Sequence, residues 1–552
     1  MDDTRWEDVL QELAALRSEV ADLRADRQLG ASAHEDVPQD VAWKLLTSTF
    51  VFLMQLGFAM IEAGMSRQVN VIATYAKNIL DFAFGSIAAL VFGYQIAYGV
   101  DALNFEVGDS RMSLWFNYIV FSATSATIVS GAMAERTAVL GYSALSVLTS
   151  GIVFPLAVRL TWGGGYLSQL EPPFQDFAGA GVVHVVGGCG ALLGSAVIGA
   201  RSGRWDPHKN GDFVPSDAKS MLGGVLILWV GWYGFNQGST SGMSKEEDVA
   251  QASNAALATT ISGSAGGIAA IIFSRLRSQW MVWRRGVRDS SHTEVDIIYL
   301  TNGVLSGLVA ITAACNEVSP WGALIVGVVA GLIYPLFSHI VENLLRVDDI
   351  VDAAAVHLGS GAWGLVAVGL LDNEEGLLAT GNYVLLRSQL IGFIVLVLIS
   401  TTVVLPFALL LNRMGWLRVS IEEEARGLDS KFGIAGHVHD SAKVLRLKEA
   451  STIIHSYGFE ISDLVAALHH LKAHIVMPFS PHASDNLIEG QVRDILERID
   501  YNFVEEMVAD AELRTPQPKG RSQSFCVGPN ALPILALHEK ITYAAFLSQR
   551  VV

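Results

Sequence analysis

Two histidines stand in matched surroundings. His184 and His357 each follow a valine, each has an aspartate eight residues earlier (Asp176 and Asp349), and each has a glycine four residues later (Gly188 and Gly361). Imidazole exchanges protons near neutral pH, and its two nitrogens can donate and accept at once. Such a pair suits proton relay or metal binding, but no third ligand accompanies it in the adjoining sequence, which disfavours zinc. Both histidines lie in stretches almost devoid of charge, where an ionisable group is costly and marks a pathway. A lone buried histidine is usually satisfied by a neighbouring carbonyl. A duplicated acid, histidine and glycine spacing is a poor fit to that explanation.

The elements that must carry them are apolar. Of 552 residues, 51% are hydrophobic and only 16% charged, where soluble domains carry about 25% charged residues. Apolar stretches fall at about 43–64, 71–99, 113–134, 138–159, 179–200, 219–238, 251–274, 298–316, 320–341, 354–371 and 384–411. Each matches the ~20 residues a helix needs to cross a bilayer, and helices satisfy their own backbone in lipid. The pattern predicts an all-α polytopic membrane protein with eleven transmembrane helices and excludes a soluble multi-domain enzyme. The net charge of −17 offers no basic face for nucleic acid.

The scarce bases orient the chain. Alternate connections holding Arg67, Arg136, Arg201–Lys219, Arg275–Arg288 and Arg346 contain twelve Lys or Arg, against Arg111, Arg159 and Lys245 in the other set. The positive-inside rule makes the first set cytoplasmic, with the N-terminus outside and the C-terminus inside. His184 then lies on span five and His357 on span ten, so two five-helix units, inverted relative to each other, plus one helix are expected. If span five begins near Asp176 and span ten near Asp349, eight helical residues carry each histidine about 12 Å inward. Two imidazoles meeting near the midplane is the prediction. Residues 1–40 form an acidic extension, eleven acids against four bases, with a short heptad seam (Trp6, Val9, Leu13, Leu16, Val20, Leu23) read as an extracellular helix or coiled coil.

The segments Gly57-Phe-Ala-Met-Ile-Glu-Ala-Gly64, Gly131-Ala-Met-Ala-Glu-Arg136, Trp162-Gly-Gly-Gly165, Asp176 to His184, Gly231-Trp-Tyr-Gly-Phe-Asn236, Leu345-Arg-Val-Asp-Asp349 and Gly427-Leu-Asp429 occur in this order. Together they resemble the ammonium transporter family (Amt/Mep, with the Rh proteins as distant relatives) across about residues 42–435. The resemblance implies a homotrimer with one narrow pore per subunit, ammonium or ammonia as substrate and methylammonium as its analogue. It implies that Trp162, Phe121 and Ser239 recruit ammonium with Asp176 in support, that Phe121 and Phe235 gate, and that His184, His357 and Trp232 line the pore. Asp349 is the matching acid on the cytoplasmic side. A Trp and Phe cage can hold a small cation through ring quadrupoles, and a hydroxyl can accept one of its four protons.

The resulting organisation is an extension at 1–40, a membrane domain at 41–412, a family-type cytoplasmic tail at 413–435 marked by Gly427, Leu428 and Asp429, and an unassigned, mostly helical domain at 436–552. The threonine that plant members place after the aspartate is absent, with only Ser430 nearby. Beyond 436, His470 and His474 share a helix face without a flanking ligand set. No cofactor is expected. The expected partners are membrane lipid and a cytoplasmic regulatory protein, in a plasma or inner membrane. A transporter is the leading reading, an ammonium sensor signalling through 436–552 the second, and an Rh-type gas channel a third that the Trp162 segment disfavours.

Overall fold

A computed structural model describes residues 37–208, 213–285 and 295–432. They belong to the first of two units, Met1–Ile434; the second, Ala435–Val552, lies outside the described residues, as does the heptad seam. Among the described residues, eleven helices of 15 residues or more follow one another: α1 Pro38–Met65, α2 Gln68–Tyr98, α3 Arg111–Ala132, α4 Val139–Leu160, α5 Ala180–Ile198, α6 Ala218–Gln237, α7 Glu246–Arg285, α8 Ile297–Ile311, α9 Pro320–Leu344, α10 Ala354–Leu371 and α11 Val384–Arg413. Among the described residues, nine are long and apolar enough to cross a membrane; α6 and α8 fall short, α8 because it has 15 residues. The fold is therefore all-α, a multi-pass membrane protein. Two of its departures from the predicted spans stand out. Helix α7 runs eleven residues past the expected end at 274, through Arg275, Arg277 and Arg284. Helix α8 stops at Ile311, where Thr312 begins a turn whose carbonyl receives the Ala178 N–H.

Small residues set the packing. Helices in lipid gain little from hydrophobic exclusion and associate where their backbones can approach. A Cβ on Gly57 of α1 would stand 2.9 Å from the Gly224 carbonyl oxygen of α6, and one on Gly224 would stand 2.7 Å from the Gly57 oxygen. Larger side chains at this reciprocal contact would force the two helices apart. Leucines, isoleucines and phenylalanines face outward along α2, α7, α9 and α11, as lipid-facing surfaces require.

The connections at one end carry a dense ion network. Glu135 holds a positive φ of 67° and accepts from the Arg67 backbone N–H and from its Nε at 2.6 Å; Arg201 approaches the same carboxylate at 3.4 Å. Asp348 takes Arg201 through Nε at 2.9 Å and Nη2 at 3.0 Å. Residues 417–419 bridge to 136–138 in a short antiparallel contact, after which Glu424 binds Arg418 at 2.7 Å and the Ser202 N–H. The tail marks dock on the start of α2. The Leu428 N–H donates to Asn70 Oδ1, and Asp429 Oδ1 accepts from the Ala73 N–H, each at 2.8 Å. Asp429 thus caps the first turn of a helix distant in sequence, where free N–H groups and the helix dipole favour an anion. Gly427 has φ 89°, and a Cβ there would meet Val69 at 2.5 Å.

Candidate functional site

The repeated motif is a crossing device. Helices α5 and α10 both open with a π-helical turn, Ala180–Val185 and Ala354–Gly359, which contain His184 and His357. Such turns are rare and concentrate at functional sites. The aspartates do not begin the helices, which corrects the 12 Å estimate: Asp176 precedes Ala180, and its side chain folds forward to cap the turn. Its Oδ1 accepts from the Gly179 N–H at 3.1 Å, and its Oδ2 from those of Gly181 and Val182 at 2.9 Å. Asp349 does the same more sparingly, with Oδ2 accepting from the Ala354 N–H at 2.7 Å.

The glycine four residues after each histidine lies against the opposite helix. A Cβ on Gly188 would come within 2.4 Å of the Leu358 nitrogen, and one on Gly361 within 2.8 Å of the Ala180 oxygen. The helices cross at this separation, and the buried imidazoles meet with Nδ1 to Nδ1 at 3.2 Å and ring planes 21° apart. Because one Nδ1 must donate to the other, the two rings hold opposite tautomers at that position while both are neutral. His184 Nε2 has no protein partner.

A column of rings continues from the pair. His184 stacks on Trp232 at 5.3 Å and on Phe235 at 5.5 Å. Phe235 stacks face to face on Phe121 at 4.1 Å, and Phe121 meets Trp162 edge-on at 6.2 Å. Trp232 is fixed by its Nε1 donating to Thr312 Oγ1 at 3.1 Å. Trp162 is fixed by Nε1 donating to the Asp176 carbonyl at 2.8 Å, so one aspartate positions both the outermost ring and the histidine turn. Gly179, at φ 102°, leaves no Cβ to strike the Trp162 ring. Ser239 lies one turn beyond Phe235, half-buried, and donates to the Phe235 carbonyl at 2.9 Å. That bond leaves its oxygen free to accept. Phe121, Phe235, Trp162, Asp176, Trp232, His184 and His357 are thus assembled; Asp349 and the tail residues lie at the other end.

On the far side of His357 is a cavity lined by Phe58, Glu62, Thr127, Asn302, Val351 and His357, among others. Phe58 stands 6.2 Å from the His357 ring. Two acids near it are not among the predicted site residues: buried Glu62, in the Gly57–Gly64 segment, and half-buried Asp352, which accepts from Tyr334 at 2.9 Å and Ser338 at 2.8 Å. The available signal was an ionisable residue inside or beside an apolar stretch.

At the charged end the titrations are set by the ion pairs. Burial alone would raise Asp348, but the Arg201 guanidinium holds its carboxyl well below the ordinary range. Burial opposes ionisation of Glu135 too, and Arg201 with Arg67 outweighs it and keeps the group low.

Comparison with known proteins identifies the architecture. Residues 42–433 match the Ammonium Transporter Family. "Ammonium transporter Amt2" of Archaeoglobus fulgidus is 36% identical over 433 residues, covering 71% of this chain and 87% of that protein. "Ammonium transporter 1 member 3" of Solanum lycopersicum is 32% identical over 443 residues, covering 72% and 92%. Among solved structures, a "Sensor Amt Protein" aligns with TM-score 0.62 at 30% identity, covering 72% of this chain and 98% of that one. Candida albicans Mep2 aligns with TM-score 0.59 at 23% identity, covering 70% and 87%, and supports the fold alone. With the match spanning α1 to the docked tail and the relatives covered nearly end to end, the chain belongs to the ammonium transporter family.

Proposed function

We propose that this chain conducts ammonium across the membrane, moving ammonia and a proton separately past the paired histidines. The observation that carries this reading is the continuous column from Trp162 through Phe121 and Phe235 to His184 and His357. In this reading ammonium is held against the Trp162 and Phe121 rings, with the Ser239 oxygen accepting one N–H. A desolvated cation–π contact contributes ~2 kcal/mol or more. Asp176 acts through geometry, since both its oxygens are occupied by backbone N–H groups.

Further in, the stacked Phe121 and Phe235 close the path and must part for passage. A bare cation beyond them faces a desolvation cost of ~20 kcal/mol in the idealised limit. Loss of a proton avoids it, and neutral ammonia can pass while the imidazoles hand the proton along their shared hydrogen bond. Potassium has no proton to lose and is excluded. Eleven spans in two inverted five-helix units, an outer N-terminus and an inner C-terminus, assembly as a homotrimer and control by a cytoplasmic protein complete the proposal.

A second reading is an ammonium sensor signalling through residues 436–552, favoured by the 30% identity to a structure titled a sensor. Proteoliposomes separate the two. Full-length protein should give currents with ammonium and methylammonium but none with potassium, and removing residues after 435 should leave them. Absence of current in both forms rejects conduction and favours sensing.

A further inference from the structure

Behind the cavity, α1 and α2 bury ionisable groups that the ring column does not use, against side chains of α3 and α4. Glu62 of α1 lines the cavity with His357 and Thr127. Its Oε2 accepts from Asn78 Nδ2 of α2 at 2.9 Å. Beside Asn78 and one turn beyond it on α2 are Lys77 and Asp81, both buried as fully as Glu62. Lys77 Nζ has no hydrogen-bond partner in the protein and lies 5.5 Å from the Tyr142 ring of α4. Asp81 Oδ2 is 2.6 Å from the Thr127 hydroxyl of α3, which is also 2.8 Å from Gln55 Oε1 and 2.9 Å from the Ala123 carbonyl.

Counting protons makes this cluster unusual. A threonine hydroxyl has one proton to donate, yet three oxygens surround it. The three oxygens therefore compete for one proton, and the Gln55 amide can turn to donate instead. Lys77 Nζ, Asn78 Oδ1 and Gln55 Nε2 are buried without protein partners, and buried polar atoms of this kind are ordinarily satisfied by internal water. Arg201 and Asp348, by contrast, saturate each other through three hydrogen bonds.

We propose that Glu62 is the proton acceptor on the cytoplasmic side of the histidine pair, with Lys77 and Asp81 behind it setting its charge; this rests on the conduction reading above. In the step, an N–H bond of protonated His357 breaks and an O–H bond forms on the Glu62 carboxylate through intervening water, returning the imidazole to neutral. The Glu62 O–H then breaks as ammonia leaving the cavity takes the proton and departs as ammonium. One ammonium and two carboxylates carry one excess negative charge, which a single proton cancels. A travelling proton is thereby held without leaving a net charge in the apolar lumen. Lys77 keeps Glu62 ionised and receptive between arrivals, and Asp81 remains its counter-ion when Glu62 is protonated.

The test uses full-length protein in proteoliposomes, reading ammonium-evoked current and, separately, internal alkalinisation driven by an ammonia gradient. Glu62→Gln should lower the charge moved per ammonia at least ten-fold, and Glu62→Asp should restore much of it. A charge-to-ammonia ratio unchanged in Glu62→Gln, or current and ammonia flux lost in parallel, overturns the proposal. If Glu62→Gln does not give monodisperse protein, Asn78→Ala, which removes the donor orienting Glu62, is expected to lower the ratio several-fold; an unchanged ratio there rejects it equally. Absence of current in the unsubstituted chain counts against conduction itself, a different failure.

Discussion

The ring column and the arginine-rich end use polar groups in opposite ways. Along the column the groups are neutral rings, the two tryptophans each tethered by a single hydrogen bond, with His184 Nε2 left open. At the charged end Arg67, Arg136, Arg201 and Arg418 are met by Glu135, Asp348, Glu424 and backbone carbonyls. The lesson is one of purpose: satisfied charge holds connections in place, whereas unsatisfied but neutral hydrogen-bonding capacity is what a small polar molecule can use in transit. Substitution in the column should therefore change conduction with little effect on stability, and substitution at the charged end should do the reverse.

The sharpest way to break this contrast is His184→Ala. It should lower ammonium current on the order of 10²-fold or more, the usual scale for removing a proton-transfer group, while thermal unfolding stays near that of the parent. An unchanged current that still excludes potassium would sink the histidine reading. Asp348→Asn comes next. It leaves Arg201 buried without its main partner and should cost ~3–5 kcal/mol of stability, seen as a lower unfolding temperature with current per folded molecule retained; an equal loss of current would erase the division between the regions. Asp176→Asn straddles it, because one aspartate serves both cap and cage. Losing one anionic acceptor among three buried N–H groups should cost ~1–3 kcal/mol and weaken apparent ammonium affinity as Trp162 shifts, which titration of the current would register.

Smaller effects follow at the tail. Asp429→Ala removes the cap on the first turn of α2 and should cost ~1 kcal/mol, measurable as faster proteolysis of the tail. The pH dependence has a definite sign. Asp348 and Glu135 are held below their unfolded values, so their stabilisation is complete above the ordinary carboxylate range near pH 4 and is lost only as pH falls through their lower folded values. Unfolding temperature should be insensitive to these two groups between pH 7 and 5, and Asp348→Asn should flatten the loss seen in stronger acid.

Much of this was legible in one chain. Apolar runs of bilayer length give the helical class because lipid offers the backbone no other donors or acceptors; among the described residues each predicted stretch overlaps a helix, and nine of those helices are long and apolar enough to cross a membrane. The duplicated motif pointed to a histidine encounter because coincidence is a poor source of matched spacing. Other features were opaque. Nothing in the spacing of Asp176 and His184 reveals a π-helical turn or a side chain folded forward onto three N–H groups, since a local sequence does not state where a helix begins to within a turn. Glu62, Lys77 and Asp81 read as isolated charges in two apolar stretches until α1 and α2 are laid side by side.

Residue types and spacing, then, determined the membrane class, the family and the identity of the paired histidines, because these depend on chemistry carried along the chain. Tertiary structure alone decided that Gly188 and Gly361 let α5 and α10 cross closely enough for two Nδ1 atoms to stand 3.2 Å apart. It also decided that Asp176 serves Trp162 and the histidine turn together. Those are distances between segments far apart in sequence, and only the packing of one helix on another fixes them.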